Sequence, residues 1–299
     1  MKLSLRALLV PFAILATHQV VSADTAKDAS TKTSGDVSIE GVVTARAVLD
    51  DTSAIFYLQD ASGGVGVKYS GAMDKLPKTG YQIKLSAGAT DKSFVSFKSS
   101  ELVSTNASLP KLKVVRDITD GAAVTAAKDM YGVFPGAKFS AGSFKGGATT
   151  KLNVGGHSAD ILVSQRLNGR EIPTEALNIF GILANNDIVG GDGSGLVLVP
   201  NRLVPTTASK TRKFATANTC FTCHLVDKKL VGPAYLWVAD KYKDDKDAIA
   251  KMVDQIQNGG MGKWGPIPMI GFKGRLQQPQ MEELANWIYD MRWQVLLND

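Results

Sequence analysis

A run of five residues, Cys220-Phe221-Thr222-Cys223-His224, carries side chains at a spacing that implies one kind of chemistry. Two thiols on one helical turn can each add to a vinyl group of a single haem, forming thioethers. The residue that follows then presents an imidazole to the iron. The chain has two cysteines and three histidines, and those counts weigh against the rivals. A zinc site needs four ligands and no further thiol exists. A thioredoxin-like redox pair lacks its βαβ context, and a plain disulfide leaves His224 without a role.

The iron then needs a sixth ligand or an open face. His157 sits in Val154-Gly155-Gly156-His157-Ser158, which reads as a hairpin turn with a solvated imidazole. After the motif come Met252, Met261, Met269, Met281 and Met291. Met252 and Met281 fall on amphipathic helical patterns and Met291 near the end of the last helix, so these read as packing residues. Met269 ends Trp264-Gly265-Pro266-Ile267-Pro268-Met269, where two prolines stiffen the backbone and a thioether can be held with little entropy to lose. Met269 is the expected ligand.

The order of further segments sharpens the reading. Leu230-Val231-Gly232-Pro233-Ala234-Tyr235, Ile256-Gln257-Asn258-Gly259, Gly262 to Met269 and Leu284-Ala285-Asn286-Trp287 follow the thiol motif in turn. With it they make residues 210–299 resemble a small bacterial class I cytochrome c of the c-551/c-552 type. The resemblance implies thioethers at Cys220 and Cys223 and axial ligation by His224 and Met269. It also implies a hydrogen bond from the other imidazole nitrogen to the carbonyl of Pro233, and an indole N–H of Trp264 reaching a haem propionate. Two positions depart from the family pattern: Gln255 stands where an Arg is frequent, and Ile270-Gly271-Phe272 stands where Pro-Pro-Asn is frequent.

The elements that must position these residues read as helices. Lys210 to Thr219 runs into the motif. Asp244 and Asp245 can cap a second helix with Ile249, Met252, Val253 and Ile256 on one face and Gly259 at its end. Gln280 to Leu296 forms a third, with Leu284, Ile288 and Met291 on one face. Three helices around one covalent haem c is the expected frame of the unit at 207–299.

Residues 37–206 read as strands instead. Val37, Ile39, Gly41, Val43 and Ala45 alternate with polar residues, and Ala54–Asp60 and Val65–Tyr69 flank a Ser-Gly-Gly turn. Gly80–Leu85 and Phe94–Phe97 add two strands, and the second half repeats the order at Gly132–Gly142, Thr150–Val163, Leu177–Leu183 and Leu196–Val199. Pairing Gly63 with Gly155, Ile83 with Ile179 and Leu102 with Leu203 suggests a distant duplication. Each half, 37–115 and 116–206, resembles an OB-type β-barrel. The expected fold is therefore multidomain, an all-β N-terminal part followed by an all-α cytochrome c domain. Asp120–Lys128 reads as a short helix opening the second copy. Tyr57, Tyr69, Tyr81, Phe94 and Phe97 read as barrel filling rather than base-stacking surfaces. Gly190–Gly195 is glycine-rich but lacks the Lys-Ser/Thr ending of a phosphate-binding loop, and reads as a hairpin turn.

At the N-terminus, Lys2 and Arg6 precede an apolar run broken by Pro11, and Val21-Ser22-Ala23 offers a small-residue cleavage pattern. Residues 1–23 are expected to be an export signal and 24–36 a flexible leader, with no integral span after cleavage and a periplasmic or secreted destination. Hydrophobic residues at 44% and charged residues at 21% exclude a disordered tail or a membrane bundle. The formal charge of +6 does not by itself call for nucleic acid, and export makes it an unlikely partner. The leading expectation is a monohaem electron carrier between a redox donor and acceptor, without catalytic residues. Lys228, Lys229, Lys263 and Lys273 would rim the haem edge and steer an acidic partner. The barrel region would dock a partner. The competing expectations are a haem peroxidase or dehydrogenase subunit with an open iron site, and a barrel-based binding protein with a redox-sensing haem.

Overall fold

The computed structural model describes residues 23–90, 94–185, 187 and 195–298. The expected signal segment, apart from Ala23, and most of the Gly190–Gly195 turn lie outside the described residues.

Alternating apolar positions fold the first part into a closed five-stranded sheet. Its strands are β1 (Asp36–Val48), β2 (Ser53–Gln59), β3 (Gly64–Ser70), β4 (Gln82–Ala89) and β5 (Phe94–Ser104), in the order β1-β2-β3-β5-β4. β3 and β5 run parallel and the other pairs antiparallel. Asp60 turns the β2–β3 hairpin, its Oδ1 accepting from the backbone N–H of Ser62 and Gly63. Val37, Ile39, Val43, Phe56, Leu58, Val67 and Leu85 fill the interior.

Residues 24–36 are not the flexible leader expected from their composition. They carry helix α1 (Ala26–Thr31), capped by the Thr25 hydroxyl, which accepts from the backbone N–H of Asp28. Ala26 and Ala29 are buried against the first core, and the Ala26 N–H donates to Asp60 at 2.7 Å. Alanines small enough to pack, with a cap in front of them, order a segment whose polarity suggested a tail.

The second part contains β6 (Lys113–Val114), α2 (Gly121–Ala127), β7 (Tyr131–Phe139), β8 (Thr149–Val154), β9 (His157–Leu162), β10 (Leu177–Asn185) and β11 (Leu196–Pro205). The sheet order is β10-β11-β9-β8-β7-β6, with β10 also paired to β7. The pairings thus run β7-β8-β9-β11-β10 and back to β7, and β9–β11 is the parallel pair, as β3–β5 is in the first part. The repeat seen in sequence holds at the level of register: Ile83 faces Leu102 across β4–β5, and Ile179 faces Leu203 across β10–β11. Asp120 caps α2 as expected, accepting from Ala122 and Ala123. The boundary expected after residue 115 falls late, because β6 pairs with β7 and Val115 is buried in the second core.

Helices follow: α3 (Ala208–Ala217), α4 (Tyr235–Tyr242), α5 (Ala248–Asn258), α6 (Gln278–Asp290) and α7 (Arg292–Asn298). The single long helix expected from Gln280 to Leu296 breaks at Met291. Before the break, Met281, Leu284, Ala285 and Ile288 pack with Met252, Val253 and Ile256 of α5. After it, Trp293, Leu296 and Leu297 join the core of the second sheet. The unit expected to reach 299 therefore hands its last helix to the β part, because the apolar face of α7 finds its partners there. Among the described residues, no helix is long and apolar enough to cross a membrane.

Candidate functional site

Helix α3 ends at Asn218, and Thr219 takes a left-handed conformation (φ 63°) that turns the chain into a single 3-10 turn, Cys220–Thr222. Within that turn the Cys223 and His224 N–H groups donate to the Cys220 carbonyl at 3.3 and 3.1 Å. The Cys223 carbonyl then accepts from Val231 and Gly232, closing the intervening loop.

His224 is held on three sides. Its Nδ1 lies 2.8 Å from the Pro233 carbonyl oxygen. A carbonyl only accepts, so Nδ1 carries the proton and the Nε2 lone pair is left for another partner. The ring stacks on Tyr235, with centroids 5.2 Å apart and planes 16° from parallel. Gly232 closes the remaining side: a Cβ there would stand 2.4 Å from His224 Cε1 and under 3.0 Å from both ring nitrogens.

Met269 comes from a different stretch of chain. Its N–H donates to the Gly260 carbonyl at 2.8 Å, and the Gly260 N–H returns a bond to the Met269 carbonyl at 3.0 Å. Gly259, at φ 70°, makes this approach possible, since a Cβ would stand 2.4 Å from the Met269 carbonyl oxygen. The prolines stiffen the segment, and this two-bond bridge fixes where it ends.

These pieces enclose a mostly apolar cavity of about 460 Å³. Cys220, Cys223, His224, Pro233, Trp264 and Met269 all line it, so all six expected site residues converge on one space. Burial pushes the Cys220 thiol and the Tyr235 hydroxyl above their usual ranges, keeping both protonated at neutral pH. The Lys241 ammonium lies 4.7 Å from the Trp264 ring centroid, packing one face of the indole. Lys229 and Lys263 stand exposed on the cavity rim, and Lys228 and Lys273 are also exposed. His157 is exposed at the start of β9 beside Asp117, away from this site.

Sequence reasoning did not assign roles to Gly232, Tyr235 or Gly260, and read Gly259 only as the end of a helix. Gly232 and Tyr235 lie within two residues of Pro233, so the carbonyl expected to meet His224 was the available pointer to them. The Gly260–Met269 bridge left no local signal, because its two strands are separated by the whole proline segment. Helix α4, which places Tyr235, was also not anticipated.

The residues fit a covalently bound tetrapyrrole. The cavity lies within the roughly 300–1,000 Å³ of typical cofactor pockets. Its wall presents two thiols and an imidazole with a free Nε2, and a thioether lines the same space.

The cytochrome c family profile matches residues 208–292. A cytochrome c-551 of Pseudomonas denitrificans is 42% identical over 76 residues, which are 25% of this chain and 90% of that relative. A cytochrome c-552 of Hydrogenobacter thermophilus is 38% identical over 73 residues, 24% of this chain and 72% of the relative. The crystal structure of Nitrosomonas europaea cytochrome c552 aligns at 36% identity over 27% of this chain and 98% of that one, with a TM-score of 0.26.

Proposed function

Because the chain belongs to the cytochrome c family through residues 208–292 and so binds covalent haem c, we propose that it is an exported monohaem carrier of single electrons with His224 and Met269 as axial ligands. The observation that carries this reading is the convergence of the His224 imidazole and the bridge-held Met269 on the cavity that Cys220 and Cys223 also line. Haem c, when bound, supplies a one-electron ferric/ferrous couple.

The chain's residues do the remaining work. Cys220 and Cys223 anchor the group by thioethers. Pro233 fixes the His224 tautomer and, with Tyr235 and Gly232, the plane of the ring. The soft Met269 thioether favours the reduced state, and the apolar lining excludes water and penalises the extra ferric charge, so both raise the potential. Trp264, braced by Lys241, would donate its indole N–H to a propionate of the bound group. Lys228, Lys229, Lys263 and Lys273 steer an acidic redox donor or acceptor.

We read the two β units as OB-like barrels that serve as a platform docking a partner, in a periplasmic or secreted setting; their shared strand order supports this reading. Tyr57, Tyr69 and Phe94 are buried, so they are absent from any stacking surface on that platform. The test is the oxidised and reduced optical spectrum of the full-length protein. A low-spin spectrum with the weak near-infrared sulfur-to-iron band is expected. A high-spin spectrum without that band overturns the carrier reading in favour of an open iron site.

A further inference from the structure

Large apolar side chains stand exposed in only two stretches of the described residues, 102–114 and 230–270. The second contributes Val231, Met261, Ile267 and Ile270 to the haem cavity. The first carries Leu102, Val103, Leu109, Leu112 and Val114, leads from the first β unit into the second, and has no part in that site. Its charge is one-sided. Between Glu101 and Asp117 there is no carboxylate, while Lys111, Lys113 and Arg116 are all exposed. Among the described residues none of these three cations has an ion-pair partner.

The backbone of this stretch is as open as its side chains. β6 is the last strand of its sheet and pairs in parallel with β7 alone. The Val115 N–H donates to the Val133 carbonyl at 3.0 Å, so the alternation of a strand turns the N–H and C=O of Val114 to the side away from β7. Upstream, the backbone of residues 108–112 makes no hydrogen bond among the described residues. Pro110, which has no N–H, ends the usable edge on that side.

An open strand edge invites a further strand, and the charges decide which one. A second copy pairing antiparallel through the same edge would set cations against cations. A lipid surface would leave the open N–H and C=O groups without partners. An extended acidic peptide answers every feature: its backbone bonds Val114, its apolar residues cover Leu112 and Val114 on one face, and its carboxylates pair with Lys111 and Lys113 on the other.

We propose that residues 111–114 form a docking edge for an extended acidic segment of a partner protein, in which carboxylates alternate with apolar residues, added as a strand beside β6. The proposal rests on the docking role read for the β units, whose surface and partner chemistry it names, and is independent of the haem ligation.

The test follows the fluorescence anisotropy of a dye-labelled short peptide of alternating Glu and Val as full-length haem-loaded protein is added. Comparison peptides have the same composition in block order, N-methyl groups throughout, or Lys in place of Glu. The alternating peptide is expected to bind, less tightly in high salt, and each comparison peptide to bind several-fold more weakly or not at all. Lys111→Glu combined with Lys113→Glu should weaken binding roughly tenfold. Val114→Pro, which removes the outward N–H, should weaken it several-fold, with the haem spectrum unchanged throughout. The charge reversals lie on exposed side chains and remain readable if Val114→Pro does not fold. Absence of binding would overturn the proposal, as would equal binding of the alternating, block and N-methylated peptides, which would reduce the edge to a patch of charge. Peptide affinity untouched by the charge reversals would overturn this edge while leaving the docking role to another surface of the β units. Sedimentation of the protein alone and with phosphatidylglycerol vesicles tests the other occupants: a dimer, or vesicle binding, lost on the double charge reversal would overturn the proposal in favour of a second copy or a lipid surface.

Discussion

Gly232→Ala isolates the packing that orients His224. The new Cβ would lie 2.4 Å from Cε1, 2.8 Å from Nδ1 and 2.9 Å from Nε2, where ordinary contact begins near 3.4 Å. The imidazole must therefore retreat by about 1 Å, a displacement of the size that takes the 2.8 Å bond to the Pro233 carbonyl out of hydrogen-bonding range. Overpacking of this kind costs about 1–3 kcal/mol. Losing the bond adds about 0.5–1.5 kcal/mol. Gly232 does not sit at positive φ, so apart from the imidazole an alanine there would stabilise by about 0.4–1 kcal/mol through the unfolded chain. The sign of the effect thus reports on the ring contact. Guanidinium unfolding of the haem-loaded variant should show a net loss of roughly 0.5–4 kcal/mol, the two costs less the alanine gain. Its oxidised spectrum should show a growing high-spin fraction as the axial imidazole is displaced. An unchanged spectrum with equal or greater stability would refute the argument that Gly232 is required by the position of His224.

On the proposed ligation, Met269→Ala should abolish the near-infrared sulfur-to-iron band and lower the midpoint potential, read by spectroelectrochemistry, because a soft ligand that favours reduced iron would be lost. Trp293→Ala removes a buried indole that packs edge-on against Phe144, at 6.1 Å between centroids, and should cost about 3–5 kcal/mol of global stability by denaturant unfolding while leaving the haem spectrum intact. Asp129 has its carboxyl pushed up to about 6 by burial, with the neighbouring Asp187 adding to the rise and Lys128 opposing it. A raised carboxylate binds its proton more tightly when folded, so this stabilisation is full below the unfolded value near 3.8 and is lost as pH rises through 6. Asp129→Asn should remove that part of the pH–stability profile, a component on the order of 2–3 kcal/mol.

The residues that converge on the cavity were legible because their chemistry is local: thiol spacing, the adjacent imidazole and a proline-stiffened methionine are all visible within short windows. The duplication was legible for a similar reason, since period-two apolar runs and Gly-rich turns mark strands one at a time, and Ile83–Leu102 and Ile179–Leu203 proved to be equivalent facing pairs. What sequence could not supply was the identity of the surface that receives an apolar face. The period of Leu284, Ile288 and Met291 runs on into Trp293, Leu296 and Leu297 and reads as one helix, yet the two stretches bury themselves in different cores. Likewise Ala26 and Ala29 carry too little hydrophobicity to announce burial, and only the proximity of Asp60 and Ser38 to the segment around them shows why it is ordered.

The position of α7 bears on how the chain would present its haem. Strand β11 ends at Pro205 and α3 begins at Ala208, so the helical unit leaves the β part after a two-residue connection. It returns through α7, whose Trp293, Leu296 and Leu297 are buried in the second core. A third tie links Arg170 to the Lys243 carbonyl at 3.1 Å and to the Asp244 carboxylate. The two β units are themselves joined by an apolar contact of Ala47, Ile55 and Tyr57 with Leu162, Ile182 and Val199, and by the Gln59 side chain accepting from the Tyr131 N–H at 2.8 Å. A unit tied at three separated points cannot swing about its linker as a tethered domain does. The family profile ends at residue 292, where α7 starts, so the element that closes this attachment lies past the part shared with small carriers. A small cytochrome meets its partners by turning freely in solution, whereas this arrangement fixes the haem cavity relative to the β platform. Partner choice would then be made by the surface of the whole chain, and releasing α7 should widen that choice rather than stop electron exchange.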